Sequence, residues 1–105
     1  RCLNEINAIF CPTDELAALC LRALQTLGKN VPDDIAVIGF NNTPLAEHTN
    51  PPLSSVQWPI EVQANAAIDL LLKILKKEVP YEPGFHEIKT ELVIRDSTTK
   101  RANFE

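Results

Sequence analysis

VPDDIAVIGFNNTP, residues 31–44, is the stretch on which the fold turns. Ile35 to Phe40 forms an almost unbroken apolar run, too short for a membrane span and without the alternation of a strand that has one wet face. Such a run suits a strand covered on both faces, as in a parallel sheet flanked by helices. It ends abruptly in Asn41 and Asn42. Small ligands bind at the carboxyl ends of strands in open α/β sheets. The segment therefore points to an α/β fold and to a site at the strand's tip.

The flanking sequence extends this reading. Asn7 to Cys11 (NAIFC) is a short apolar run that Pro12 ends. Thr13 suits a helix N-cap, and Asp14 and Glu15 follow in the first turn, where the helix dipole favours acids. Leu16, Leu19, Ala23 and Leu27 recur at helical spacing, and Ala17, Cys20 and Leu24 widen the apolar face. Gly28 suits the stop and Pro32 keeps the helix from resuming. This is a strand–helix–strand unit with parallel strands, so Cys11–Asp14 and Phe40–Thr43 should face each other across a crevice. Downstream, Pro44–His48 reads as a turn of helix, Leu53–Trp58 as a strand, Ile60–Lys77 as a long amphipathic helix and Glu87–Arg95 as a last strand. Residues 96–105 are polar and aperiodic, which reads as a mobile tail.

Bulk properties narrow the function classes. At 105 residues the chain has room for one small core. Its net charge of −4 argues against gripping nucleic acid by itself, which needs a basic face. No apolar run is long enough to span a membrane. Cys2, Cys11 and Cys20 do not look like a disulfide framework; they read as inert thiols in a reducing cytoplasm. His48 and His86 lack partners at ligand spacing, so neither a metal nor another cofactor is expected. A start at Arg1 and the absence of methionine read as a piece of a longer chain.

Four elements occur in order: the T-D-E-x-A helix start at Thr13, the V-P-x-D-I-x-V-I-G-F strand from Val31, the P-P-L-S-S-V segment from Pro51, and the closing T-E-L-V-I-R-x-S-T from Thr90. Together they resemble the effector-binding core of LacI/GalR-type bacterial transcriptional regulators, over roughly Ala8 to Thr98. The resemblance implies a partial periplasmic-binding-protein-like fold, with the effector held between two lobes. It implies that residues 1–57 and 85–98 belong to the C-terminal lobe and that 58–84 hold the crossover and a helix of the N-terminal lobe. Residues 99–105 are then the tail. It further implies a homodimer that reaches operator DNA through a headpiece absent from this chain. In this chain the long helix would lack its usual sheet.

The same resemblance orders the candidate residues. Asn41 stands where the family usually carries Asp in a G-[FY]-D-[DN] pattern, the carboxylate that bonds effector hydroxyls or ring nitrogens. An amide can still read a hydroxyl pair, but brings no charge; alternatively, it is a turn asparagine that tolerates an unusual backbone. Thr13 stands where Asn is usual, either facing the cleft or serving only as an N-cap. Trp58 lies at the lobe crossover, where it can stack on a sugar ring or fill the core. Phe40 and Asp14, on the facing strand tips, complete the ligand set. Leu16, Leu19, Ala23 and Leu45 resemble the family's dimer surface, with Ala17, Cys20, Leu24 and Leu27 left to face the sheet. The reading that follows is a repressor sensing a sugar-like effector. The alternative is a periplasmic-type sugar-binding protein without DNA binding. No nucleophile or acid–base pair supports an enzyme.

Overall fold

The computed structural model describes residues 5–99, which divide into two compact units, residues 5–58 with 91–99, and residues 59–90. Unit 1 holds strand β1 (Ala8–Phe10), helix α1 (Asp14–Thr26), strand β2 (Ala36–Phe40), helix α2 (Leu45–His48), strand β3 (Ser54–Gln57) and strand β4 (Glu91–Val93). Unit 2 holds helix α3 (Ile60–Leu75) followed by irregular chain.

The four strands form one sheet in the order β1-β2-β3-β4. The first three are parallel, with Ile9 beside Val37 and Gly39 beside Ser55. β4 runs antiparallel to β3, with Val93 opposite Ser55, so the sheet is mixed rather than wholly parallel. The last strand is also shorter than its branched residues suggest, because only residues 91–93 find ladder partners on β3.

Local chemistry sets both ends of α1. Thr13 is extended and its hydroxyl oxygen accepts the Leu16 N–H at 3.1 Å, a side-chain N-cap. At the other end Gly28 takes a φ of +76°. There the Gly28 N–H donates to Gln25 O at 3.1 Å and the Lys29 N–H to Leu24 O at 2.9 Å, a Schellman closure. Asp14, Ala17, Leu21 and Leu24 form the buried stripe, one helix face. Leu21 belongs to it although the sequence pattern passed over it. Leu27, expected against the sheet, is 60 % exposed, because it is the C-cap and lies past the last full turn.

The core gathers Cys11, Ala17, Leu21, Leu24, Ile35, Val37, Ala46 and Leu53, with Ile9, Cys20 and Val31 packed against it. α1 lies on β2 and also meets α2. Only one face of β2 is therefore closed. Val37 and Gly39 are buried, whereas Ala36, Ile38 and Phe40 on the other face are half-buried and Phe10 of β1 is 65 % exposed. The expected cover on both faces is not met within unit 1, whose helices share one side.

The closing segment corrects a second expectation. Residues 96–98 are not a loose tail, because Ser97 is fully buried. Its Oγ donates to Val37 O at 2.6 Å and accepts the Ser54 N–H at 2.8 Å, and its carbonyl accepts the Val37 N–H at 3.0 Å. The amino ends of β2 and β3 have backbone groups beyond their own ladder, and this one serine satisfies them. Ser54 Oγ in turn accepts the Arg95 N–H at 2.6 Å.

In unit 2, no residue of α3 is buried. Ile60, Val62, Ile68, Leu71, Leu72 and Leu75 are all exposed. No helix among the described residues is long and apolar enough to cross a membrane.

Cys11 supplies a test of core integrity. Burial pushes its thiol up from 9.0 to about 11, helped by the charge of neighbouring Cys20 and a hydrogen bond with it. Below pH 9 both the folded and unfolded states keep this proton. Between pH 9 and about 11 the unfolded thiol ionises first, and stability should fall by about 1.4 kcal/mol per pH unit. Urea midpoints measured at pH 8 and pH 10.5 should therefore diverge more in the parent protein than in Cys11→Ala. Equal divergence in both would remove this assignment.

Candidate effector-binding edge

Because β1, β2 and β3 are parallel, the chain leaves all three at one edge of the sheet. That edge gathers Thr13 and Asp14 after β1, Asn41 to Thr43 after β2, and Trp58 after β3.

The turn after β2 is conformationally unusual. Asn41 has a φ of +97° and Asn42 a φ of +51°, the left-handed region that asparagine tolerates better than most residues. The Asn41 N–H donates to Val56 O at 2.9 Å, so β3 holds the start of the turn. The Asn42 N–H donates to Ser55 Oγ at 2.9 Å. The Asn41 side chain is half-buried, and no protein group among the described residues bonds its amide. Asn42 Oδ1 is buried without a partner among the same residues.

Asp14 lies directly beneath this turn. It is 1 % exposed, and both carboxylate oxygens are engaged. Oδ2 accepts the Thr43 N–H at 2.6 Å and the Thr43 hydroxyl at 3.0 Å, and Oδ1 accepts the Ser55 hydroxyl at 2.6 Å. Gly39 makes room for this carboxylate, since a Cβ there would fall on Asp14 Oδ1 and 2.9 Å from Leu53 Cδ2.

After the strand tips, the Phe40 and Trp58 rings stand 6.4 Å apart, tilted at 54°, within the contact range of aromatic pairs. Trp58 is 38 % exposed and Phe40 half-buried, so the pair offers an apolar surface next to Asn41. This edge can offer an adaptable amide and a flat aromatic face, the groups that read a polar ring with one apolar side.

The sequence-selected residues thus separate by position. Asn41, Phe40 and Trp58 reach the accessible edge, Thr13 is half-buried with its hydroxyl oxygen in the N-cap, and Asp14 lies within the unit. Leu16, Leu19, Ala23 and Leu45 are exposed on the two helices. Sequence reasoning missed Ser55, Thr43 and the spatial role of Gly39. The available signal was the pair Ser54-Ser55, two hydroxyls in a short strand next to prolines, which are both fully buried. Among the described residues no group of three or more His, Cys, Asp or Glu side chains could hold a metal ion.

The family description for a periplasmic binding protein-like domain matches residues 3–98. The chain belongs to this family. Within the periplasmic binding protein-like family it sits among LacI/GalR-type regulators. It is 37 % identical to the HTH-type transcriptional repressor PurR of Vibrio vulnificus, covering 90 % of this chain and 28 % of that protein. It is 35 % identical to the ribose operon repressor of Halalkalibacterium halodurans, covering 95 % and 30 %. A solved complex of the transcriptional regulator CelR with cellobiose superposes with a TM-score of 0.80 at 34 % identity, covering 87 % of this chain and 28 % of that one. This periplasmic binding protein-like chain spans less than a third of the length of these relatives.

Proposed function

We propose that this chain supplies one wall of the effector site in a LacI/GalR-type transcriptional repressor, and that the effector is a sugar or sugar derivative. The observation that carries the reading is the pairing of an Asn41 amide, without a partner among the described residues, with the Phe40–Trp58 aromatic surface at the carboxyl edge of three parallel strands. A sugar presents vicinal hydroxyls to an amide and a C–H face to an aromatic ring. Similar proteins support the class of ligand: the CelR structure contains cellobiose, and a LacI family regulator from Arthrobacter sp. FB24, 36 % identical, was solved with lactose.

On this reading unit 1 is material of the C-terminal lobe and α3 is a helix of the N-terminal lobe. Leu16, Leu19, Ala23 and Leu45 contribute to a homodimer surface, and operator DNA is bound in the cytoplasm by a headpiece outside this chain. Effector binding would then bias the whole protein between a DNA-binding state and a released one, in proportion to its affinity for each. The edge binds its ligand and does not transform it.

The test uses the full-length protein and a panel of sugars and phosphosugars in a thermal-shift screen. A ligand at a hundred times its Kd stabilises by about 2.7 kcal/mol. Asn41→Gly is the informative variant, because alanine would also strain a backbone held at a φ of +97°. Glycine removes only the amide, and about a tenfold loss of affinity is expected from one lost pair of hydrogen bonds. An unchanged ligand-induced shift in Asn41→Gly would rule out this contact.

A further inference from the structure

The reading of Asn41 as an effector contact leaves open what holds its turn in place. Two consecutive non-glycine residues with positive φ are costly and persist only where their surroundings over-determine them. Three backbone N–H groups, those of Asn41, Asn42 and Thr43, span that turn, and each has a partner. The first goes to Val56 O, an ordinary extension of the sheet ladder. The other two converge on one carboxylate. Thr43 bonds Asp14 directly, and Asn42 bonds Ser55 Oγ, whose own proton goes to Asp14.

We propose that Asp14 is a positioning residue for the effector site: it sets the Asn41–Asn42 turn through Thr43 and Ser55 and never touches ligand. This role rests on the reading of Asn41 above. It differs from the ordinary task of an acid in a first helical turn, which is to face solvent near the helix dipole. Glu15 is placed for that task, since it is exposed. Asp14 points inward, and the carboxylate accepts three donors from two other elements.

The arrangement also joins α1 rigidly to the turn. Asp14 and the exposed Leu16 and Leu19 ride on the same helix. A displacement of the α1 amino terminus would have to carry Thr43 and Ser55 with it or break their bonds. Shape and charge at the ligand tip are in this way tied to the position of a helix whose outer face is apolar.

The test compares Ser55→Ala with the parent in the full-length protein, by two readouts. The first needs no ligand. Hydrogen exchange of a peptide covering residues 40–45 should quicken about tenfold, the effect of releasing one hydrogen-bonded relay, while a peptide covering 17–24 of α1 stays unchanged. Equal acceleration in both peptides, or none in 40–45, would overturn the proposal. The second readout is the Kd for cellobiose. Ser55→Ala should weaken it about tenfold in the parent and less than about twofold in an Asn41→Gly background, because the relay acts through that amide. The same factor in both backgrounds would also overturn it. If cellobiose does not bind the parent at all, the effector reading fails for that sugar, and the exchange data still decide the role of Asp14. Should Ser55→Ala fail to fold, Thr43→Val removes only the 3.0 Å hydroxyl bond with little change of shape, and about a threefold quickening confined to 40–45 is expected.

Discussion

Asp14→Ala is expected to lower stability by about 3 kcal/mol, visible as a drop in the urea midpoint with little change in slope. Two effects add to give this figure. The substitution removes charge-assisted bonds to Thr43 and Ser55, and it leaves three donors without a partner where water has little access. A buried donor without an acceptor costs about 1–3 kcal/mol. Asp14→Asn keeps the volume, but it must aim an NH2 group at Thr43 or at Ser55, so most of the loss should remain. A loss below about 0.5 kcal/mol in Asp14→Ala would show that the network contributes little, as at an ordinary solvated first-turn acid.

Gly39→Ala should cost about 2 kcal/mol or more, and for a different reason. The backbone at Gly39 is not in the left-handed region, so the limit is space. The added methyl would fall on Asp14 Oδ1, 2.9 Å from Leu53 Cδ2 and 3.3 Å from Ala17 Cβ. Leu53 and Ala17 are both fully buried, and neither can swing aside. α1 must then lift from β2, loosening the core stripe of Ala17, Leu21 and Leu24. The two substitutions share one space, so their costs should not add. In an Asp14→Ala background the tightest of these clashes is gone while those with Leu53 and Ala17 remain, so the cost of the methyl should fall by at least about 1 kcal/mol without vanishing. Additive costs in the four-way comparison would mean that the carboxylate does not occupy the place described.

Much of this architecture was legible in local pattern. The run of Ile35 to Phe40, the Thr13 cap and the Gly28 stop each depend on neighbours within a few residues, and the elements they announce are present. The twin asparagines marked the carboxyl edge of the parallel strands for the same reason. What pattern did not yield depends on distant partners. The inward aim of Asp14 requires Thr43, 29 positions away, and Ser55, 41 positions away. In the helix alone Asp14 and Glu15 are interchangeable acids. The burial of Ser97 depends on Val37, 60 positions earlier, so a polar closing segment looks like tail until the sheet is assembled. The open face of β2 eluded the pattern for the opposite reason. An apolar run announces a demand for cover on both sides, and the helices of unit 1 supply it on one.

The serine that closes the sheet also fixes an order of events. Val37 and Ser54 leave the ribosome well before Ser97, with the whole of residues 59–90 emerging in between. Through that interval the amino ends of β2 and β3 have no hydroxyl between them, and the nascent sheet carries an unfinished seam. The polypeptide must leave unit 1, build a second compact body and return before its first one is sealed. Such long-range closure slows folding and lengthens the exposure of unpaired strand ends. A chain stopped between residues 94 and 97 would therefore lack this serine and leave the amino ends of β2 and β3 open.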